Sequence, residues 1–272
     1  MDASKVYVVT GAASGIGRAT AQLLSRSARV FALDVDEAGL ASLVATSPQV
    51  TAVPADLRST ASVEQAAARV AEVAPGGIDG LVNCAGLIRF GAMVEMSEED
   101  VRAVMEVNTL GSFRTTKAFF PQLKAKKGRV VVISSEVASV TSPFNGVYSM
   151  SKYALEAYAD ALRRELALEG MKVVIIQPGA VKTALLAGTV PGFDKALVGS
   201  QFAKGMKVIR DLAQKEAGKG MAPEEVAEVV ERALIHPRPA ARYAVGNNPM
   251  FHAAKYLPAS WLDAIMTRLM KG

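Results

Sequence analysis

Short runs of β-branched and aliphatic residues alternate with alanine-rich stretches along most of the chain. The apolar runs predict buried strands at 6–10, 29–34, 49–56, 80–83, 129–135 and 172–179, with a weaker candidate at 241–246. Helical spacing of the apolar residues predicts helices at 15–27, 60–74, 97–125, 147–169 and 223–235. Nearly continuous apolar strands that alternate with helices are typical of a parallel sheet covered on both faces. We therefore predict an α/β fold with a doubly wound, mainly parallel sheet.

The pattern changes after residue 183. Residues 184–222 combine glycines with helix-compatible apolar residues, and residues 247–272 form an amphipathic tail. No repeat or low-complexity linker divides the 272 residues, so we predict one domain, 1–272, with a C-terminal extension.

The tail carries six large apolar residues at helical spacing. We expect them to pack on the body or on a partner subunit, and peripheral membrane contact together with Arg268 and Lys271 is the alternative. They are Trp261, Leu262, Ile265, Met266, Leu269 and Met270.

Composition and charge exclude several classes of protein. The net charge of +5 comes from basic residues spread along the chain, and the densest cluster, 124–129, suits a solvated turn, so we predict no nucleic-acid partner. Cys84 is the only cysteine, and only five residues precede the first predicted strand, so we expect a cytoplasmic protein without a disulfide or a signal peptide.

His236 and His252 lack a ligand pattern, so no metal site is predicted. No apolar run reaches the ~18 residues of a membrane span.

A glycine-rich loop joins the first predicted strand to the first helix. The stretch TGAASGIG (10–17) places glycines at 11, 15 and 17, where backbone N–H groups and the helix dipole favour a pyrophosphate. A purely structural turn needs similar residues, but the order strand, loop, helix indicates a dinucleotide site.

Carboxylates at the ends of the next two strands refine this prediction. Asp34 is placed to accept both hydroxyls of an adenosine ribose and would repel a 2′-phosphate, which favours NAD(H) over NADP(H). Capping of the following turn is the alternative for Asp34, and Asp36 and Glu37 could also serve there. Asp56 could reach the adenine edge or cap the helix at 60–74. The small residues of NCAG (83–86) would let a nucleotide lie close.

Taken together, the motifs resemble the short-chain dehydrogenase/reductase family over roughly residues 5–183. They are TGAASGIG (10–17), Asp34, Asp56, NCAG (83–86), Asn108, Ser135, YSMSK (148–152) and PGAVKT (178–183). Two departures are Cys84, where the family usually has asparagine, and the stretch 25–30, which lacks the usual glycine. Residues 142–179 are similar to the branch that acts on retinols and hydroxysteroids.

The resemblance implies a Rossmann-type NAD(P)-binding domain and hydride transfer to or from a carbonyl carbon. It implies the catalytic residues Asn108, Ser135, Tyr148 and Lys152. It also implies a homodimer or homotetramer formed through the helices at 97–125 and 147–169. The predicted cofactor contacts are Gly11, Ser14, Gly15, Ile16, Gly17, Asp34, Asp56, Leu57, Asn83, Ala85, Gly86, Tyr148, Lys152, Pro178, Gly179, Val181 and Thr183.

Elementary chemistry gives Tyr148 and Lys152 complementary roles. At positions i and i+4 they share a helical face, and a nearby ammonium together with an oxidised nicotinamide would lower the phenol pKa from ~10. Tyr148 would then exchange a proton with the substrate oxygen while Lys152 holds the nicotinamide ribose. Alone, the pair would more often be structural. With the glycine loop and Asp34 in place we favour the catalytic interpretation.

The remaining polar residues keep two interpretations each. Ser135, at a strand end, would hydrogen-bond the substrate oxygen, or serve only as a cap, and alternation along the strand directs Ser134 to the opposite side. Asn108 could anchor a water molecule that leads to Lys152, or form an interhelical hydrogen bond. Thr183 could bind the nicotinamide carboxamide, or cap the following helix.

We predict that 184–222 forms a lid over the substrate, with glycines that permit motion. Ordinary core packing is the alternative for each of its apolar residues: Phe193, Leu197, Phe202, Met206 and Ile209. The predicted function is NAD(H)-dependent oxidation or reduction of a lipophilic secondary alcohol or ketone. The alternatives are a non-catalytic dinucleotide-binding sensor or scaffold and a reductase of a small acyl or sugar ketone.

Overall fold

A seven-stranded parallel sheet forms the centre of the protein in a computed structural model, which describes residues 5–271 apart from the side chains of 250–252. The strand order is β3-β2-β1-β4-β5-β6-β7. The strands are β1 (Val6–Thr10), β2 (Arg29–Asp34), β3 (Val50–Pro54), β4 (Gly80–Asn83), β5 (Arg129–Ile133), β6 (Lys172–Pro178) and β7 (Arg242–Val245). The order reverses between β1 and β4, which opens a crevice at the carboxyl ends of these two strands.

Helices cover both faces of the sheet, as the alternation of the sequence predicts. In chain order they are α1 (Gly15–Leu24), α2 (Glu37–Thr46), α3 (Thr60–Val73), α4 (Glu98–Met105), α5 (Gly111–Lys126), α6 (Gly146–Leu166), α7 (Ala184–Ala187), α8 (Thr189–Leu197), α9 (Ala203–Ala217), α10 (Pro223–Ile235), α11 (Pro249–Ala254) and α12 (Ala259–Lys271). No helix within residues 5–271 combines the length and the apolar character needed to cross a bilayer.

Two apolar layers form because alternate strand residues point to opposite faces of the sheet. Val9 and its equivalents pack on one face with α1 and α10, where Leu24 and Val230 are fully buried. Val8 and its equivalents pack on the other face with α3, α5 and α6. The predicted doubly wound α/β fold is thereby confirmed.

The structure shows a helix between β2 and β3 that was not predicted, and it divides one of the predicted helices. Helix α2 begins after Asp36, whose side chain accepts a hydrogen bond from the Gly39 N–H, and the sequence pattern gave no helix there. The helix predicted at 97–125 is present but contains a π-helical stretch, Glu106–Leu110, between α4 and α5. This stretch holds Asn108, so the irregular turn lies where a site residue was predicted.

Candidate active site

The glycine loop after β1 lies directly against the loop after β4. Gly11 has φ +66°, and a Cβ there would lie 2.7 Å from the Cα of Ala85, so any other residue would separate the two loops. The Thr10 hydroxyl ties them together, because it accepts hydrogen bonds from the N–H groups of Cys84 (3.0 Å) and Ala85 (3.2 Å). The role of Thr10 was missed at the sequence level, although the residue lies within the quoted motif.

The first turn of α1 is suited to an anion. Ser14 precedes the helix in extended conformation and makes no side-chain capping bond. Gly17 lies so close to the carbonyl oxygen of Gly11 that no Cβ would fit between them. Uncapped N–H groups at a helix N-terminus are the donors that a pyrophosphate takes in dinucleotide-binding folds, so this turn fits the cofactor that the motif predicts.

Asp34 stands at the carboxyl end of β2, on the rim of the crevice. Its Oδ2 accepts from the Ala13 N–H at 3.0 Å and its Oδ1 accepts from the Asp36 N–H at 3.1 Å. The carboxylate is thus oriented by the glycine loop. It also stabilises the turn before α2, so the alternative that Asp34 caps this turn is confirmed. Arg18, on α1 behind the glycine loop, donates to the carbonyl oxygens of Ala13 and Gly39 and to the Ser42 hydroxyl.

Asp56 does not cap α3, because Ser59 does so by accepting from the Ser62 N–H at 3.2 Å. Its carboxylate is instead held by the side chain and N–H of Arg58, which keep its pKa below the ordinary value. The capping alternative is therefore wrong, and the adenine contact stays a prediction.

Two other predicted cofactor residues are committed to packing. The buried Asn83 side chain donates to Thr116 (3.0 Å) and accepts from Thr115 (2.6 Å), so it joins β4 to α5 and leaves only its backbone for a ligand. Leu57 is buried against Gly111, at the start of α5.

Ser135, Tyr148 and Lys152 come together at the carboxyl end of β5. The Ser135 hydroxyl lies close enough to the Tyr148 phenol to lower the pKa of that phenol, and the Lys152 Nζ lies 5.6 Å from the centre of the Tyr148 ring. Lys152 is 3% exposed and donates to the carbonyl oxygen of Ile133 at 2.9 Å. The predicted trio therefore forms one cluster, drawn from β5 and α6.

Burial dominates the acid–base properties of this cluster. It raises the pKa of the Tyr148 phenol to about 12, against the smaller, lowering effect of the nearby Ser135 hydroxyl, and lowers the pKa of Lys152 to about 8. In the cofactor-free protein Tyr148 is therefore a neutral phenol at pH 7, and its pKa is shifted upward by burial, opposite to the downward shift predicted from Lys152 and an oxidised nicotinamide. Burial also raises the pKa of Cys84 to about 12, so its thiol is protonated and unreactive.

Asn108 is fully buried within the π-helical stretch. Its Oδ1 accepts from the Leu87 N–H at 2.7 Å, and its Nδ2 donates to the Leu87 carbonyl and the Ser151 hydroxyl, both at 2.9 Å. The interhelical hydrogen bond is thus confirmed, through Ser151, a residue that the sequence analysis did not identify. With its amide occupied, Asn108 positions the loop of Gly86, which packs near both Asn108 and Lys152.

The segment after β6 closes the crevice from the other side. Gly179 packs against the backbone of Gly246, and Val181 is buried and pairs with Met221. The Thr183 hydroxyl accepts from the Leu186 N–H at 3.3 Å, so Thr183 caps α7 and lies in contact range of Gly15. The capping alternative for Thr183 is confirmed, and its carboxamide contact stays a prediction.

The predicted lid segment is mostly helical. Phe193, Met206 and Ile209 form a buried cluster with Phe90 and Phe144, and the Phe90 and Phe193 rings stack with centroids 4.2 Å apart. Core packing is therefore the correct alternative for these three residues, and Leu197 lies partly buried against them, whereas Phe202 is exposed. The cluster connects α8 and α9 to the loop that precedes Tyr148, because Phe144 belongs to that loop.

No group of three or more histidine, cysteine, aspartate or glutamate side chains suited to a metal ion occurs among the described residues.

A family model described as short chain dehydrogenase matches residues 5–194. Retinol dehydrogenase 16 of Homo sapiens is 35% identical over 96% of this chain and 87% of its own length. The 17-beta-hydroxysteroid dehydrogenase type 6 of Rattus norvegicus is 32% identical over the same shares of the two chains, 96% and 87%.

Solved structures agree with the fold. A short chain dehydrogenase/reductase from Burkholderia phymatum in complex with NAD has a TM-score of 0.80 at 25% identity, covering 96% of this chain and 94% of its own. An alcohol dehydrogenase from Thermococcus sibiricus complexed with 5-hydroxy-NADP has a TM-score of 0.73 at 29% identity, covering 89% and 95%. Structural neighbours therefore include proteins with either nicotinamide dinucleotide.

Proposed function

We propose that this chain, which belongs to the short-chain dehydrogenase family, transfers a hydride between NAD(H) and a lipophilic secondary alcohol or ketone of the retinol or hydroxysteroid type. Family membership makes it an oxidoreductase acting on CH–OH donors. The proposal rests on one observation above all: Ser135, Tyr148 and the buried ammonium of Lys152 meet in one cluster at the carboxyl end of β5.

In the proposed mechanism each residue of the trio has a separate task. The Ser135 hydroxyl donates to the substrate oxygen and stabilises the charge that develops on it. The neutral Tyr148 phenol donates its proton to a carbonyl oxygen in reduction, and its phenolate accepts the alcohol proton in oxidation. Lys152 binds the nicotinamide ribose and, while protonated, favours the phenolate. When bound, the nicotinamide supplies or accepts the hydride.

Substrate and cofactor preference can be measured together. We expect the highest kcat/KM for retinols or hydroxysteroids with NAD+, when these are compared with short alcohols and with small acyl and sugar ketones. A preference for the small ketones would favour the reductase alternative. Dinucleotide binding without turnover of any panel member would favour the sensor or scaffold.

NAD(H) is proposed over NADP(H) because of Asp34. Two backbone N–H groups hold its carboxylate on the crevice rim, where a 2′-phosphate would meet a negative charge, and Arg18 is occupied by three acceptors.

Replacing Asp34 by arginine should move the preference toward NADP+. A hydrogen bond to a charged group is worth about 1.5–3 kcal/mol, so we expect the NAD+/NADP+ ratio of kcat/KM to fall by roughly 100-fold. Asp36→Asn, which alters the neighbouring cap of α2, is the control and should leave the ratio unchanged. A strong NADP+ preference of the unaltered protein would contradict the role of Asp34.

We further propose a homodimer or homotetramer formed through α5 and α6. Four large apolar side chains are exposed on or directly beside these helices: Leu110, which immediately precedes α5, Phe113 on α5, and Met150 and Tyr153 on α6. The rings of Phe113 and Tyr158 meet edge to face, which joins the two surfaces. A cytoplasmic location stays a prediction, supported by the single cysteine.

Introducing charge on this surface should dissociate the oligomer. We expect the double variant Phe113→Glu/Tyr153→Glu to elute at the monomer mass in size-exclusion chromatography with light scattering, because like charges would be buried at the interface. Ile235→Glu, an exposed apolar position on α10, should keep the mass of the unaltered protein. A monomeric unaltered protein would exclude the proposal.

A further inference from the structure

Glu136 directly follows Ser135 and has no part in the proposed mechanism. It begins the short turn Glu136–Ala138, which Ser135 caps: the Ser135 Oγ accepts from the Val137 N–H at 3.4 Å, and the Ser135 carbonyl accepts from the Ala138 N–H at 3.1 Å. A movement of this turn would therefore move the Ser135 hydroxyl. The Glu136 side chain is partly buried, so its partners help to decide how firmly the turn is held.

The Glu136 carboxylate is bonded to the segment that follows β7. Its Oε2 accepts from the Asn248 N–H at 2.8 Å, across 112 positions of sequence. Burial raises the pKa of Glu136, the bond from Asn248 opposes this, and the negative charge of Glu216 adds to the rise. The fold therefore gains from the hydrogen bond of Glu136 rather than from its charge.

Asn248 extends this attachment to α9. Its Nδ2 donates to the Glu216 Oε2 at 3.0 Å, near the end of α9, while the Glu216 Oε1 accepts from Lys219. The strand before Asn248 is bonded to the end of β6, because the Gly179 N–H donates to the Val245 carbonyl at 2.9 Å. The tether Glu136–Asn248–Glu216 thus links the turn after Ser135 to the helix predicted to close over the substrate.

The other end of α9 is held in a similar way, but from a different loop. Glu95, in the loop after β4, accepts from the Ser200 hydroxyl at 2.6 Å and from the Gln201 N–H at 2.9 Å, just before α9 begins. Helix α9 is therefore attached to the body by a glutamate near each end. Of these two attachments, the tether is the one that includes the residue next to Ser135.

We propose that Glu136 is a positioning residue, which acts through the tether to hold the turn of Ser135 in place against α9 and the end of β6. Ser135 is the group proposed to donate to the substrate oxygen, so its hydroxyl must be fixed relative to Tyr148. A displacement of about 1 Å can cost about 100-fold in rate. The effect of the tether on turnover rests on the proposed function.

The tether can be measured without turnover. In Glu136→Ala the Asn248 N–H loses this acceptor, so we expect faster amide hydrogen exchange, by mass spectrometry, in peptides that contain Asn248 and the end of α9. Glu136→Gln keeps a carbonyl oxygen as acceptor and should exchange like the unaltered protein. Unchanged exchange in Glu136→Ala would overturn the tether and, with it, the positioning role.

The action on Ser135 should appear in kcat. Glu136→Ala should lower kcat roughly 10- to 100-fold and change the dissociation constant of NADH little, because the glycine loop and Asp34 lie outside the tether. Glu136→Gln should restore most of the lost kcat. In a Ser135→Ala background, Glu136→Ala should cost little more, since its effect is transmitted through Ser135. An undiminished loss in that background would overturn the positioning role.

Glu95→Ala is the matched control, because it releases the other end of α9 and leaves the bond between Glu136 and Asn248 in place. It should speed exchange at the start of α9 while kcat changes little. A loss of kcat equal to that of Glu136→Ala would assign the effect to α9 as a whole and overturn the role proposed for Glu136. If the unaltered protein turns over no substrate of the panel, the proposed function and the effect of Glu136 on turnover both fall, and the exchange result still decides the tether.

Discussion

Replacing Tyr148 by phenylalanine should lower kcat/KM for every active substrate by roughly 1,000-fold, within the range that general acid–base groups contribute. The substitution removes the phenol oxygen and keeps the ring beside Lys152, whose Nζ lies 5.6 Å from the ring centre. Cofactor affinity, measured by NADH fluorescence, should therefore change little. The effect should appear in kcat rather than in the dissociation constant of the dinucleotide.

Tyr153→Phe is the control for this experiment, because Tyr153 is exposed on the same helix and takes no part in the cluster. It should retain the activity of the unaltered protein if the oligomer is intact. Turnover by Tyr148→Phe at the rate of the unaltered protein would exclude Tyr148 as the acid–base group and, with it, the proposed mechanism.

Replacing Lys152 by methionine should abolish turnover, weaken dinucleotide binding and make the cofactor-free protein more stable at pH 7. The buried ammonium has a pKa lowered from 10.5 to about 8, which corresponds to a cost of roughly 3 kcal/mol at neutral pH. The lost hydrogen bond to Ile133 offsets about 1 kcal/mol of that gain. We expect the free energy of unfolding to rise by roughly 2 kcal/mol.

The pH dependence of this gain has a definite sign. Between about pH 8 and 10.5 the unfolded chain binds the lysine proton and the folded chain does not, so the unaltered protein becomes more stable as the pH rises. The advantage of Lys152→Met should therefore be complete below pH 8 and shrink by about 2 kcal/mol at pH 9.5. Urea unfolding at pH 7 and pH 9.5 measures it, with the exposed Lys207→Met as control. If Lys152→Met is instead less stable than the unaltered protein at pH 7, contacts in the folded state compensate the cost of burying the Lys152 ammonium.

The sequence predicted the sheet, the crevice and the members of the cluster because each depends on local patterns. Buried parallel strands are continuous apolar runs, and the glycine loop and the Tyr148–Lys152 pair are short motifs with fixed spacing. The clustering of Ser135 with Tyr148 followed from the general position of ligands at the carboxyl ends of strands.

What could not be predicted depends on contacts distant in sequence. The bonds of Asn83 to α5 and of Asn108 to Leu87 and Ser151 span 21 to 43 positions, and nothing near either asparagine indicates its partner. The pKa of Tyr148 is a further example, because burial by the assembled fold raises it, and burial cannot be read from the local spacing of Tyr148 and Lys152. Helix α2 was missed although Asp36 and Glu37 supplied a start signal, since only Leu40 and Leu43 are buried in it.

The packing of α1 against α10 bears on the order in which the protein can become functional during synthesis. The nucleotide loop is encoded near the beginning of the chain, yet the inner face of the helix behind it is covered by residues 223–235. Until those residues leave the ribosome, the face of α1 that α10 covers lacks this partner and presents an apolar surface. The nucleotide loop is therefore synthesised early, but the packing behind it is completed only near the end of synthesis. A chaperone that shields the early segment would act in the interval between these two events.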